Sequence, residues 1–312
     1  MSPALVNRFP KYARIFGGRQ GARSIHFIIL VGFIAFVIAH VTLVVQTGFR
    51  RNMNHIVLGT DDLQPSGMIL GLIGIGIVVL SWIAAHYISW FFPRGLQHAE
   101  KAITQPVKLV TLDRLIPKEK YTIEQISPHF WPIGKMPERE DWKRMAANGF
   151  REFRLKIGGL VENPVELSLD ELRALGGDEF ITMHHCIQGW SGIAQWGGLS
   201  MRKLIEHVRP LPYAKTIAFY SFGDSLYGGP YYDTQDIYNA AKPECLLALD
   251  MNGAPLSEVY GAPLRLRVEN QLGYKMVKWI ERIEFVESEK LLGEGEGGKN
   301  EDDEYFDLLP NI

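Results

Sequence analysis

Cysteine is scarce in this chain. Only Cys186 and Cys245 occur in 312 residues, which excludes a disulfide framework and suits a reducing compartment. An excess of basic charge is also missing: the formal net charge is −2, so nothing in the balance points to a nucleic-acid partner. No internal repeat is visible, which excludes a solenoid. Acid is absent from residues 1–24, which carry Arg8, Lys11, Arg14, Arg19 and Arg23. Two later stretches lack nearly all polar side chains.

The first of these, Ile25 to Val45, has only His26, His40 and Thr42 as polar residues. At about 1.5 Å per residue such a helix spans roughly 30 Å, one hydrocarbon core. The second, Gly67 to Phe92, is interrupted only by Ser81, His86 and Ser89, and Trp82, Tyr87 and Trp90 gather toward its end as interfacial aromatics do. A polar loop with Arg50, Arg51, His55, Asp61 and Asp62 separates the two. The expectation is a two-helix transmembrane hairpin (25–92) in a multi-pass cell-membrane protein. The basic N-terminus (1–24), with Arg94, Lys101, Lys108 and Arg114 after the second run, is expected to place both ends of the hairpin, and the domain that follows it, on the cytoplasmic side. A cleavable signal peptide is not expected, since the first run is long and has no small-residue cleavage site, and no twin-arginine start is visible.

Residues 93–126 read as a polar linker, 127–290 as a folded domain, and 291–312 as an acidic disordered tail. Within the domain, Phe153 to Gly158 alternates like a strand and runs into a glycine turn. Ser168 and Glu171 form a capping box that starts a helix, and Ser200 to Val208 forms another. Thr216–Phe222, Leu264–Val268 and Lys278–Val286 read as strands. Short strands and scattered helices without a βαβ rhythm predict an α+β fold.

Residues 182–201 concentrate the chemistry: His184, His185 and Cys186 precede a loop containing Gly189, Trp190, Gly192 and Trp196. A thiolate is a soft metal ligand or a nucleophile, glycines admit close backbone approach, and tryptophans supply flat walls. From the residues alone a buried structural thiol fits as well. Cys245 lies in an apolar run and reads as core. In the membrane, ionisable residues need a reason. His26 and His40 are fourteen residues apart, on one helix face within about 40° and about 21 Å apart in depth, which suits axial ligation of two haems. His86 comes at about the depth of His26.

Four segments carry a resemblance to the molybdopterin-binding domain of the sulfite oxidase family, which includes bacterial subunits that reduce methionine sulfoxide. They are Ser127–Gly134, Gly158–Pro164 with the following helix, His185–Trp190, and Tyr260–Arg265 through Leu272–Trp279. The resemblance implies a molybdenum–molybdopterin cofactor, with Cys186 as its thiolate ligand. It implies that His129, Phe130 and Trp131 wrap the pterin and that Ser221 stands beside the metal. Tyr260, Arg265, Gly273, Lys275 and Lys278 would serve the pterin and its phosphate. Lys275 and Lys278 do not share a strand face, so that segment is expected to be partly loop, or the two to reach the ligand by different routes. Tyr231 and Tyr232 are candidate pocket hydroxyls. No arginine cluster for a small anion is evident, and the implied partner is a small-molecule substrate. The stretch from Arg23 through His40 resembles the two-histidine helix of the b-type cytochrome subunits of membrane hydrogenases and formate dehydrogenases. That implies haem b ligated by His26, His40 and His86. It covers one helix pair of a four-helix unit, so a cytochrome b partner subunit or a homodimer would complete the site and pass electrons to the quinone pool or another carrier.

Overall fold

The computed structural model describes residues 6, 9–111, 120–304 and 306–312. The chain divides into two compact units, one centred on Ala13–Thr111 and one on Leu112–Ile312.

The first unit contains two long apolar helices, α1 (Gly18–Gln46) and α3 (Pro65–Phe91), each long and apolar enough to cross a membrane. Helix α1 starts inside the basic segment, because arginine and glutamine continue a helix readily. The expected polar loop contains a helix, α2 (Phe49–Leu58), fixed against the start of α3 by the buried Asn54. Its amide nitrogen donates to Gln64 O (2.6 Å) and Asp62 Oδ1 (2.8 Å), and its oxygen accepts from Gly67 N (2.8 Å). The expected linker is corrected as well. Its first part is helix α4 (Pro93–Thr111), which begins after a backbone break at Phe92 and has proline at its first position, where no intrahelical N–H is lost. The apolar-to-basic mix of α4 reads as polar when averaged, but its spacing is helical.

The second unit is a mixed α+β domain. Helix α5 (Glu140–Ala147) leads into β1 (Leu155–Gly159) and β2 (Val165–Leu167). Helix α6 (Leu169–Ala174) starts with the expected capping box: Ser168 Oγ accepts from Glu171 N, and the Glu171 carboxylate accepts from Ser168 N at 2.7 Å. Strands β3 (Gly177–His185) and β4 (Ser191–Ser200) form a hairpin, followed by α7 (Met201–Val208). Then come β5 (Thr216–Asp224), β6 (Pro230–Asp236), β7 (Cys245–Met251), β8 (Ala254–Pro255), β9 (Arg265–Val268) and β10 (Ile280–Val286). One sheet has the order β2-β1-β10-β5-β6, with β1 and β10 parallel and the remaining pairs antiparallel. The other runs β3-β4-β7-β8, with β9 also paired to β7. Inward residues such as Phe153, Leu155, Ile217, Phe219, Leu247, Leu266, Ile283 and Phe285 are buried together in the main core, each worth roughly 1.5–3 kcal/mol against exposure.

The expectation of a disordered acidic tail is wrong. Residues 293–304 and 306–312 fold onto the domain through helix α8 (Lys299–Asp303), with Glu301, Asp302 and Ile312 buried. Ile312 N donates to Asn270 O at 2.9 Å, and Leu272 N to Pro310 O at 3.2 Å. The acids are partnered: Glu301 and Asp233 flank the wholly buried Lys275, and Tyr232 donates to Asp302. The glycines are structural too. Gly293 has φ 54°, and a Cβ there would run into Tyr232 and Asp302.

Removing the lysine of this triad leaves two carboxylates without a counter-charge in the interior. Lys275→Met is expected to destabilise the domain by about 3–5 kcal/mol, read as the shift of the urea transition followed by tryptophan fluorescence in detergent. A loss below about 1 kcal/mol contradicts the burial of the triad.

Candidate active site

Cys186 sits at the turn that joins β3 to β4 and is 6% exposed. The turn is closed by Cys186 N donating to Trp190 O (3.0 Å) and by Gly189 N donating to Cys186 O (3.1 Å), with Gly189 at φ 93°. The thiol lines a cavity of about 350 Å³. Phe130 is the hub of its aromatic wall, with ring centroids 5.4 Å from both His184 and Trp190 and 5.8 Å from Trp196. His184 lies two residues before Cys186, so strand alternation turns both toward the cavity. A Cβ at Gly273 would run into the His184 ring, so only glycine admits this approach.

Behind this wall the charge is positive. Arg265 and Arg267 both stack over Trp196, their guanidinium carbons 5.1 and 4.1 Å from its ring. Arg267 Nε donates to Glu269 (2.6 Å), and its Nη1 lies 3.4 Å from His184 Nδ1. Burial first, then Arg267 and Arg265, hold the His184 pKa well below the usual histidine range, so its ring is neutral. Arg265 donates to Tyr260 O at 3.2 Å, but its Nε has no hydrogen-bond partner among the described residues. Burial and Arg267 push its pKa down to about 9, against Glu269 and Cys186, which act to raise it. Lys278 lines the same cavity, its Nζ donating to Ile133 O and Val259 O at 2.7 Å each. Burial and Arg265 push it down to about 6.

The other expected site residues divide. Trp131, Ser221, Tyr231 and Gly273 line the cavity with Cys186, Phe130, Arg265 and Lys278. Ser221 Oγ donates to Lys278 O (2.8 Å) and accepts from Gly223 N (2.9 Å), so it shapes the turn behind Lys278. Tyr231 donates to Tyr274 O (3.0 Å) and accepts from Asn300 Nδ2 (2.9 Å); burial holds it a neutral phenol. Tyr232 points elsewhere, donating to Asp302 and stacking on Tyr220. Alternation along β6 separates the two tyrosines, which adjacent positions in sequence do not reveal. Tyr260 stands one layer back, donating to Phe130 O at 2.8 Å. His129 is exposed beside the cavity, edge-on to Trp131 at 4.6 Å. Lys275 is corrected: it is spent in the buried triad with Asp233 and Glu301 and offers no donor to the cavity. Cys245 is wholly buried, with its thiol pushed up to about 12 mainly by burial, and donates to Asn239 O. His26, His40 and His86 lie on α1 and α3, in the other unit.

A thiol fit for a soft metal, flat aromatic walls, and two cations of which one keeps an orphaned donor suit a ligand that carries a metal, a flat body and an anionic group. The model of the oxidoreductase molybdopterin-binding domain matches residues 143–291. The chain carries a molybdopterin-binding oxidoreductase domain. The catalytic subunit MsrP of a protein-methionine-sulfoxide reductase from Xanthomonas axonopodis pv. citri is 36% identical over 143 residues, 43% of this chain and 44% of that protein. A protein bearing the name protein-methionine-sulfoxide reductase subunit YedZ1, from Azospira oryzae, is 35% identical over 131 residues, 42% of this chain and 48% of that protein. The chain thus spans about half the length of the curated relatives it matches. Among solved structures, the sulfane dehydrogenase SoxCD from Paracoccus pantotrophus aligns with a TM-score of 0.39 and 20% identity, over 45% of this chain and 40% of that one.

The molybdopterin domain sets a pH expectation. Between about pH 6 and the usual lysine range near 10, Lys278 of the cofactor-free protein has lost a proton that free lysine keeps. An anion beside it restores that proton. Sulfate, whose own charge is constant over this range, is expected to bind the cofactor-free protein about tenfold more weakly at pH 8 than at pH 6, with proton uptake seen by calorimetry in buffers of different ionisation enthalpy. Affinity independent of pH contradicts the assignment of Lys278 to the anion end.

Proposed function

We propose that this protein is a membrane-anchored, molybdenum-dependent oxidoreductase that removes oxygen from a small oxo substrate. The observation that carries this reading is the meeting of Cys186, Arg265 and Lys278 in one aromatic-walled cavity. Cys186 would hold the metal, Arg265 and Lys278 the phosphate of the pterin, and Phe130 and Trp131 its flat body. Bound there, the cofactor supplies two-electron oxygen-atom chemistry. The relatives' names make a sulfoxide the first substrate to test. The balance is one sulfoxide, two electrons and two protons giving one thioether and one water: the S–O bond breaks, sulfur is reduced, and oxygen leaves as water. A one-electron carrier supplies the electrons in two steps.

The chain's own residues act on binding and water. The aromatic wall excludes solvent around the thiol, which strengthens every charge interaction inside. His184, kept neutral, accepts from Arg267 and so holds that guanidinium at the wall without adding charge. Tyr231 stays a phenol whose proton is committed to Tyr274 O, so it positions the wall rather than titrating.

The helices α1 and α3 anchor the enzyme in the cell membrane, with the domain on the cytoplasmic side in keeping with the basic residues flanking the spans. Haem b is the proposed electron carrier. His26 Nδ1 is engaged by Ala22 O at 3.0 Å, which leaves Nε2 for a ligand bond. His40 stacks on Phe36, and His86 lies beside Tyr87 and Trp90. The apolar windows of α1 and α3 are 0% and 6% buried, so faces from a second copy or a cytochrome b subunit would complete a haem crevice and lead to quinone. The second reading keeps the enzyme and makes the helices an anchor only.

Cys186→Ser tests the reading. Dye-coupled reduction of dimethyl sulfoxide is expected to fall at least about a hundredfold, with the thermal transition of the domain moved little. Full activity in that variant refutes it. A purified wild type without a haem absorption band leaves the anchor-only form.

A further inference from the structure

The match to the molybdopterin domain ends at residue 291, yet the chain beyond it builds part of the cavity wall. Asn300, Glu304 and Phe306 line the cavity from the C-terminal segment. That segment is tied to the β5–β6 hairpin on the opposite side. Ser225 Oγ donates to Asp303 at 3.2 Å, and Tyr227 donates to Glu304. Its position is fixed from below by the buried Lys275–Glu301 pair, and the Phe306 ring packs on Tyr274 with centroids 4.8 Å apart. The lining therefore has two ends. Cys186, His184 and Arg265 are buried, whereas Trp131, Asp224, Leu226 and Tyr227 are exposed and stand where solvent enters. The charges along the lining differ in setting: Arg265 is buried with Cys186, Lys278 is part-buried, and Lys135 is exposed but paired with Glu138 at 2.8 Å. The acids Asp224 and Glu304 belong to the two segments that meet across the entrance.

We propose that the C-terminal segment is the selecting wall of this cavity: Glu304, with Asp224 of the hairpin, excludes small anions and admits uncharged substrates with an apolar body. With the cofactor's phosphate neutralising Arg265 and Lys278, and Glu138 neutralising Lys135, the fixed charge left facing an incoming molecule is that of Asp224 and Glu304. Leu226, Trp131 and Phe306 supply apolar contact for the substrate's carbon groups. The acidic composition of the tail thus has a task at the entrance, and the task belongs to a segment outside the matched domain. The inference rests on the reading of this cavity as the cofactor and substrate site.

The test compares two near-isosteric probes, neutral dimethyl sulfone and anionic methanesulfonate, on cofactor-loaded full-length protein. Binding is read from quenching of intrinsic tryptophan fluorescence, since Trp131, Trp190 and Trp279 line the cavity. The wild type is expected to bind the sulfone at least about tenfold more tightly than the anion. Glu304→Gln with Asp224→Asn should narrow that ratio by about tenfold. Tyr227→Phe, which removes the cross-entrance hydrogen bond and keeps the charges, should leave the ratio where it was. A wild-type ratio near one, a ratio unmoved by the double substitution, or an equal narrowing by Tyr227→Phe each overturns the proposal. Dimethyl sulfoxide turnover is measured in parallel: its absence with the binding ratio intact refutes the proposed reaction and not the selecting wall.

Discussion

Two arginines buried against one tryptophan face set the terms for this domain. Arg265 and Arg267 share the Trp196 ring, and one carboxylate, Glu269, is paired with one of them. A buried cation without a matching anion is costly, and the cost is relieved when an anionic ligand arrives. The depressed Lys278 says the same thing from the other side of the cavity, as does the neutral state imposed on His184. The protein alone is therefore an incomplete electrostatic structure, built to be finished by a ligand carrying negative charge. In the proposed reading the thiol of Cys186 at the β3–β4 turn holds the metal of that ligand, and Arg265 and Lys278 hold its phosphate.

The sheets bring these groups to one cavity. β3 delivers Cys186, β9 delivers Arg265, and the turn after β9 delivers Gly273 and Lys278, while β7 ties β4 to β9 in one sheet. The C-terminal segment then closes the side of the cavity that the sheets leave open. Its anchor is an ion triad placed wholly in the interior, where one lysine meets two carboxylates. Such an arrangement gives modest net stability for its desolvation but defines the position of the chain strictly, because any other placement leaves a bare charge buried.

What the sequence reveals of this follows from distance along the chain. Local signals were readable: the Ser168–Glu171 capping box, the strand alternation after Phe153, the two apolar runs, and the Cys186 stretch with its glycines and tryptophans. His184 could have been placed in the wall by alternation from Cys186. Lys275 and Lys278 look equivalent, three residues apart in one motif. Only the partners Asp233 and Glu301, 42 and 26 residues away, take Lys275 out of the site. Nothing local marks those partners. For the same reason the Gly- and Glu-rich tail mimics a solvated end: composition cannot show that Glu301 meets a buried lysine, or that Gly293 is small because Tyr232 and Asp302 press on it.

The most direct measurement of the central claim is the molybdenum content of detergent-purified protein made in a host that synthesises the cofactor. The account predicts close to one molybdenum per chain, released together with the pterin when the protein is unfolded. A correctly folded preparation without molybdenum, under conditions that load a known molybdoenzyme in the same host, would contradict it and return Cys186 to the role of a buried structural thiol.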